Sequence, residues 1–212
     1  MQAFISHQGI VVPLTENNID TDQIIPARFL HRPRAEGYAE QLFSDLRRDS
    51  HGNTIESFVL NNPAYAAGSV LVAGSNFGCG SSREHAVWAL MDSGFRVVIA
   101  PSFGDIFFNN SLKNGLLVIT LPLDTVQALA DDARLHAPAN ITVDLQQQQV
   151  ISPNIGCHGF DIDEYRKEAL LLGASEMAMT LKKSSVIQTF EEAHARRYPW
   201  LASPPLIPST QQ

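Results

Sequence analysis

The stretch Gly74-Ser-Asn-Phe-Gly-Cys-Gly-Ser-Ser-Arg-Glu-His-Ala86 decides how the rest of the chain is read. Glycines at 74, 78 and 80 alternate with small polar residues. The apolar run Val70-Leu-Val-Ala73 precedes them and the amphipathic run Val87-Trp-Ala-Leu-Met91 follows. The local order is therefore strand, turn, helix. Ser81 with Glu84 three residues on has the spacing of a capping box, which predicts a helix start near Ser82. Glycines let the backbone come close to a bound group, and the bare N–H groups of a first helical turn attract anions. Arg83 adds a planar cationic fork that matches a carboxylate or a phosphate. The turn is neither of two common nucleotide motifs. Arg83 stands where G-x-G-x-x-G needs its third glycine, and no G-x-x-x-x-G-K-[ST] is present. On the residues alone, an anion site carrying hydroxyls and a thiol competes with a plainer account, in which Ser81 only caps a helix and Arg83 is a surface cation.

Downstream the pattern is regular. A helix over 82–93 ends at Gly94, strand 95–100 follows, helix 105–114 stops at Gly115, and strand 116–121 comes next. Strand–helix alternation of this kind predicts parallel α/β units. A helix over 124–136, a hairpin 141–151 with the glutamines 146–149 at its tip, and helices over 161–173 and 184–197 complete the chain. Upstream, 4–6 and 9–13 read as two short strands around a turn at His7-Gln8-Gly9. The polar loop 17–22 reads as an Asx-type turn, because Asp20 and Asp22 lack the further oxygen ligands of a calcium loop. Segment 27–34 sets Arg28, His31, Arg32 and Arg34 around Phe29 and Leu30, which suits either an exposed loop or a substrate lid. With no linker and no repeat, the reading is one domain over 1–200 and a Pro-rich tail over 201–212.

Composition excludes several classes. The chain has 212 residues and a net charge of −7. With no run of clustered Lys and Arg, nucleic acid is not an expected partner. No apolar stretch approaches the ~20 residues of a membrane-spanning helix. The start resembles neither a signal peptide nor a transit sequence, so the cytoplasm is the expected compartment. Two cysteines, Cys79 and Cys157, are too few for the thiolate set that usually holds an iron–sulfur cluster. No metal site and no cofactor bound by this chain are expected.

Three blocks carry a resemblance. They are N-x-D-T-D-x-I-I-P ending at Pro26, N-F-G-C-G-S-S-R-E-H-A over 76–86, and A-P-S-F-x-D-I-F-x-x-N-S over 100–111. In this order they resemble the small subunits of isopropylmalate dehydratase, the swivel domain of the aconitase superfamily, over nearly the whole chain. The resemblance implies an α/β fold with a swivelling β/β/α domain. It implies a hydro-lyase that interconverts 2-isopropylmalate and 3-isopropylmalate by dehydration and rehydration, in leucine biosynthesis. A large subunit carrying a 4Fe–4S cluster is the implied partner, and a small dicarboxylate hydroxy acid the implied substrate. Residue by residue, Ser81 matches the catalytic base, and Ser82 and Arg83 match binders of the substrate carboxylate. Asp22 with Thr21 matches an orienting active-site pair, and Phe29 and Leu30 lie where the family reads the variable substituent. Gly74-Ser75 and Val87 depart from the common pattern of the family without removing a reactive group. They leave open a paralogue acting on another 2-substituted malate; a non-catalytic carboxylate-binding module is the reading from a different class.

Overall fold

The computed structural model describes residues 1–201. A single seven-stranded sheet runs in the order β4-β3-β2-β1-β5-β6-β7. The strands are β1 (Ser6–Leu14), β2 (Gly68–Ala73), β3 (Val97–Ala100), β4 (Leu117–Thr120), β5 (Asn140–Asp144), β6 (Gln149–Ser152) and β7 (Gly156–Gly159). β1 through β4 pair in parallel, whereas β5, β6 and β7 add antiparallel on the other side of β1. The β/β/α character lies in this junction of a parallel and an antiparallel half.

The parallel half forms for the reason its apolar runs predict. Val70, Leu71, Val72 and Ala73 of β2, like Val97 to Ala100 of β3, are wholly buried, as strands covered on both faces must be. The helices are α1 (Thr21–Ile24), α2 (Ser44–Arg47), α3 (Glu84–Asp92), α4 (Asp105–Asn114), α5 (Leu123–Leu135), α6 (Glu164–Leu172), α7 (Glu176–Leu181) and α8 (Ser184–Arg197). α3 packs on α4, and α5 crosses β1, β2 and β3.

β1 corrects one expectation. His7-Gln8-Gly9 is not a turn: Ser6 to Ile10 pair without interruption with Asp144 to Asn140 of β5. Cross-strand pairing overrides the local turn signal of a polar–Gly pair. Pro13 is tolerated in this central strand. The Val11 N–H bonds Ala139 on the β5 side, and the same edge at Pro13 lies beyond the first residue of β5, where no ladder bond is owed. β7 carries no apolar alternation, Gly-Cys-His-Gly, and is an edge strand that only its partner β6 makes visible.

The chain packs as two units, Met1–Ala174 and a second that begins at Ser175. The second unit comprises α7, α8 and a 3₁₀ turn over Pro199–Leu201. Ser175 caps α7 by accepting from the Ala178 N–H at 3.2 Å, and α8 leaves Val186 and Phe190 exposed. One domain to residue 200 therefore remains an expectation, and the Pro-rich tail lies, apart from Leu201, outside the described residues. Among the described residues no helix is long and apolar enough to cross a membrane.

Candidate active site

The glycine-rich turn leaves the carboxyl end of β2, where ligands of open α/β sheets bind. Asn76, Gly78 and Gly80 all have positive φ, at 58°, 73° and 90°. This winding threads the turn between two neighbouring loops. On one side the Gly78 N–H donates to Ile19 O at 2.7 Å and the Thr21 N–H to Cys79 O at 2.9 Å. On the other the Phe77 N–H donates to Ser102 O at 3.1 Å, and the Gly104 N–H returns to Phe77 O at 2.9 Å. Side chains tie the same junction: Asn76 Nδ2 donates to Asn18 Oδ1 at 2.8 Å, and the Ser75 N–H to Asn17 Oδ1 at 2.7 Å. The three sequence blocks, far apart along the chain, thus become three adjacent loops after β1, β2 and β3.

The helix start differs from the sequence reading. α3 begins at Glu84 with Arg83 as an extended N-cap (φ −126°, ψ 117°) and no side-chain cap bond. The Ser81–Glu84 capping box does not form. Thr21 Oγ1 donates to the Ser81 carbonyl at 2.9 Å, and the chain stays extended through Arg83. Glu84 instead accepts from Asn114 Nδ2 at 2.6 Å. A true capping box sits one loop away. Asp20 accepts from the Gln23 N–H at 2.7 Å, and Gln23 Oε1 accepts from the Asp20 N–H at 2.9 Å, which starts α1. Asp20 is thereby a cap, and Asp22, two positions on, faces Arg83.

Arg83 donates through Nη1 to Asp22 Oδ1. Its side chain is 19% exposed against 50% for Asp22, so the guanidinium is held in place while the carboxylate remains at the rim. Thr21 is buried, and Ser81 and Ser82 are exposed beside Arg83. The Ser81 hydroxyl has no partner among the described residues. The structure therefore brings Thr21, Asp22, Ser81, Ser82 and Arg83 into one patch. Such a patch can hold a carboxylate through one cationic fork and offer two hydroxyls to the same ligand.

Phe29 and Leu30 lie apart from that patch in the chain, in the turn that follows α1. Both are half-buried and pack against the hydrophobic core. Arg28 is tied to Asp45 of α2, and the hydrogen bond holds the Asp45 carboxyl below its ordinary range. Arg32 pairs with Glu36 at 3.2 Å. Sequence reasoning did not find the role of Tyr38, Trp88 and Asp92, which pin this segment to α3. His85, Trp88 and Asp92 stand at i, i+3 and i+7, on one face of α3, and that spacing was the available signal.

Cys79 and His85 do not form a thiol–imidazole pair. Cys79 Sγ approaches Asn18 O at 3.6 Å, while the His85 ring packs 4.8 Å from Trp88 and 5.4 Å from Tyr38. Desolvation in that aromatic cluster pushes the imidazole pKa down. Both cysteines are free thiols. Among the described residues no three His, Cys, Asp or Glu side chains converge on a point where a metal ion would sit.

Fold and site together define a domain of the type that closes aconitase, and the family model for the aconitase C-terminal domain matches residues 1–124. A second model, for the C-terminal domain of 3-isopropylmalate dehydratase small subunits, matches residues 178–203. The chain is 48% identical over 201 residues to a 3-isopropylmalate dehydratase small subunit of Parvibaculum lavamentivorans, covering 95% of this chain and all of that one. It is 46% identical over 215 residues to a small subunit 1 of the same enzyme from Bordetella parapertussis, covering 97% and 100%. A crystal structure of 3-isopropylmalate dehydratase from Methanocaldococcus jannaschii aligns at a TM-score of 0.58 and 27% identity, over 88% of this chain and 99% of that one. The chain belongs to the family of 3-isopropylmalate dehydratase small subunits. It is a hydro-lyase subunit, one part of an enzyme that requires a large subunit.

Proposed function

We propose that this chain supplies the base and the carboxylate grip for the interconversion of 2-isopropylmalate and 3-isopropylmalate, a step of leucine biosynthesis in the cytoplasm. The observation that carries this reading is the patch at the ends of β1 and β2. There the Ser81 and Ser82 hydroxyls stand exposed beside an Arg83 guanidinium oriented by Asp22. Arg83 pairs with a substrate carboxylate, an interaction worth roughly 1.5–3 kcal/mol. Ser81 Oγ, as alkoxide, takes the proton from the carbon beside that carboxylate. The cation of Arg83 and the N–H groups opening α3 lower the cost of that negative charge. Asp22 orients Arg83 and yields to the substrate carboxylate as the two compete for the same fork. The described residues offer no ligand set for an iron–sulfur cluster. A 4Fe–4S cluster on the large subunit would supply a Lewis acid for the departing hydroxyl. Water then adds its hydroxyl to the carbon that lost the proton, and the Ser81 hydroxyl returns a proton to the carbon that lost the hydroxyl, which completes the isomerisation.

The test is anaerobic co-expression with the aconitase-like large subunit, followed by assay of 2-isopropylmalate against other 2-substituted malates. Arg83→Lys raises the KM for isopropylmalate sharply, because an ammonium does not reproduce the bidentate fork. Turnover of a different malate in preference would assign the paralogous dehydratase. Binding without turnover would assign a carboxylate-binding module.

A further inference from the structure

Two reciprocal ion pairs link the segment after β1 to α3. At the start of the helix an aspartate of the segment, Asp22, accepts from the helix-side Arg83. At its end the signs exchange. Arg34 of the segment grips Asp92, the last residue of α3, through both guanidinium arms, Nη1 to Oδ2 at 2.7 Å and Nη2 to Oδ1 at 2.8 Å. The second contact is built, not casual. Asp92 Oδ2 also accepts the Tyr38 N–H at 2.8 Å, and its side chain is only 19% exposed. The Arg34 guanidinium lies 5.2 Å from the Trp88 ring centroid. Tyr38, 1% exposed, stacks on the same Trp88 at 6.1 Å and donates its hydroxyl to Arg32 O at 2.7 Å. Trp88 is in turn fixed by Nε1 donating to Asn114 Oδ1 at 3.0 Å. Between the two pairs run Arg28 to Arg32, and α3 measures about 14 Å end to end at the rise of an ordinary helix.

We propose that Asp92, acting through Arg34, is a positioning residue: it fixes segment 28–32 at a set distance from Arg83, so that the segment meets the part of the substrate that distinguishes one malate from another. This rests on the proposed function and on the resemblance that puts Phe29 and Leu30 where the variable substituent is read. One rigid helix carries the carboxylate grip at its start and the anchor of the specificity segment at its end. The distance between anion and substituent is then the ruler by which the substrate is chosen. A bidentate arginine–carboxylate fork stacked on an aromatic ring suits this use, since it fixes orientation as well as distance.

The test uses the complete two-subunit enzyme with Arg34→Ala, Asp92→Asn and the double variant. Asp92→Asn keeps an acceptor for the Tyr38 N–H but loses the charge and one arm of the fork. The expected result is a KM for 2-isopropylmalate raised about tenfold by either variant, with kcat within about twofold, as loss of positioning requires. The double variant is no worse than the singles, because both break one contact. The preference for 2-isopropylmalate over 2-methylmalate narrows in parallel, and hydrogen exchange of peptides over 27–36 accelerates in the free full-length chain. Arg34→Lys, which keeps charge and stem, serves if Arg34→Ala fails to fold, and falls between wild type and Arg34→Ala. Wild-type KM and preference in the well-folded variants, additive losses in the double variant, or unchanged exchange over 27–36 would each overturn the proposal. A wild-type complex that turns over neither malate overturns the reading of the site instead, while hydrogen exchange over 27–36 still tests the clasp.

Discussion

Ser81 stands two residues ahead of the α3 N-cap with its hydroxyl exposed and no helix N–H to accept from. Its replacement by alanine is therefore a clean chemical test. Ser81→Ala keeps stability within about 0.5 kcal/mol, the usual range of a surface substitution that removes no cap. Turnover of the assembled enzyme falls about a hundredfold or more, the scale of a lost general base. A thermal melt and an assay on the same preparation check both halves, and wild-type turnover would reduce Ser81 to a turn residue. A second residue-scale effect concerns His7, whose Nε2 lies 2.8 Å from Ser69 Oγ. Desolvation first, and the Arg96 charge second, push its pKa below the ordinary value of 6.5. The unfolded chain then binds the proton more readily than the folded one. Stability is full above pH 6.5 and falls as the pH drops through the folded value. His85 shifts in the same direction. Melting temperature is expected to decline from pH 7.5 to 5.5, and His7→Gln to flatten that decline. An unchanged slope in the variant would rule His7 out as the cause.

The turn and α4 meet backbone to backbone. A Cβ placed on Gly104, the N-cap of α4, would lie 2.6 Å from Gly78 O and 3.0 Å from Cys79 Cα. A Cβ on Gly78, at φ +73°, would lie 2.2 Å from the Phe107 ring. Neither neighbour is a flexible tip that swings away. Gly104→Ala is expected to cost about 1–3 kcal/mol, as overpacking does, and to displace the turn that carries Ser81 and Arg83. Calorimetry reads the first effect and substrate KM the second. A variant with wild-type melting and wild-type KM would mean that the loop after β3 only neighbours the site without shaping it. The segment after α1 behaves as an element of its own. Phe29 and Leu30 pack partly on the core, so its apolar side chains serve the fold first. The Arg34 fork on Asp92 then fixes where the turn stands against α3.

At the scale of the whole molecule the candidate site is exposed, and on the proposed function one chain presents half of a catalytic centre. The exposed rim carries hydroxyls, a guanidinium and a carboxylate, while the described residues bring together no metal-ligand set. The purified chain is expected to show no hydro-lyase turnover and no iron–sulfur absorption, and to gain activity only with the large subunit. Either signal from a homogeneous single chain would refute the division of labour proposed here.

Local chemistry alone determined the parallel half of the fold and supplied the residues of the candidate site. The apolar runs of β2 and β3 admit only buried strands, and glycines at 94, 115 and 173 end their helices where the chain must turn. The glycine-rich turn with Ser81, Ser82 and Arg83 at a strand-to-helix junction admitted an anion site beside the plainer account of a cap and a surface cation. Tertiary structure decided what depends on a distant partner. Pairing with β5 straightens His7-Gln8-Gly9 into strand, and β6 makes a strand of Gly-Cys-His-Gly. Thr21, sixty residues upstream in the chain, donates to the Ser81 carbonyl, and α3 begins only at Glu84. Asp92 turns an arginine-rich loop into an anchored one. Each of these is a bond whose second partner lies elsewhere in the chain, and such a bond leaves no trace in the residues of either partner taken alone.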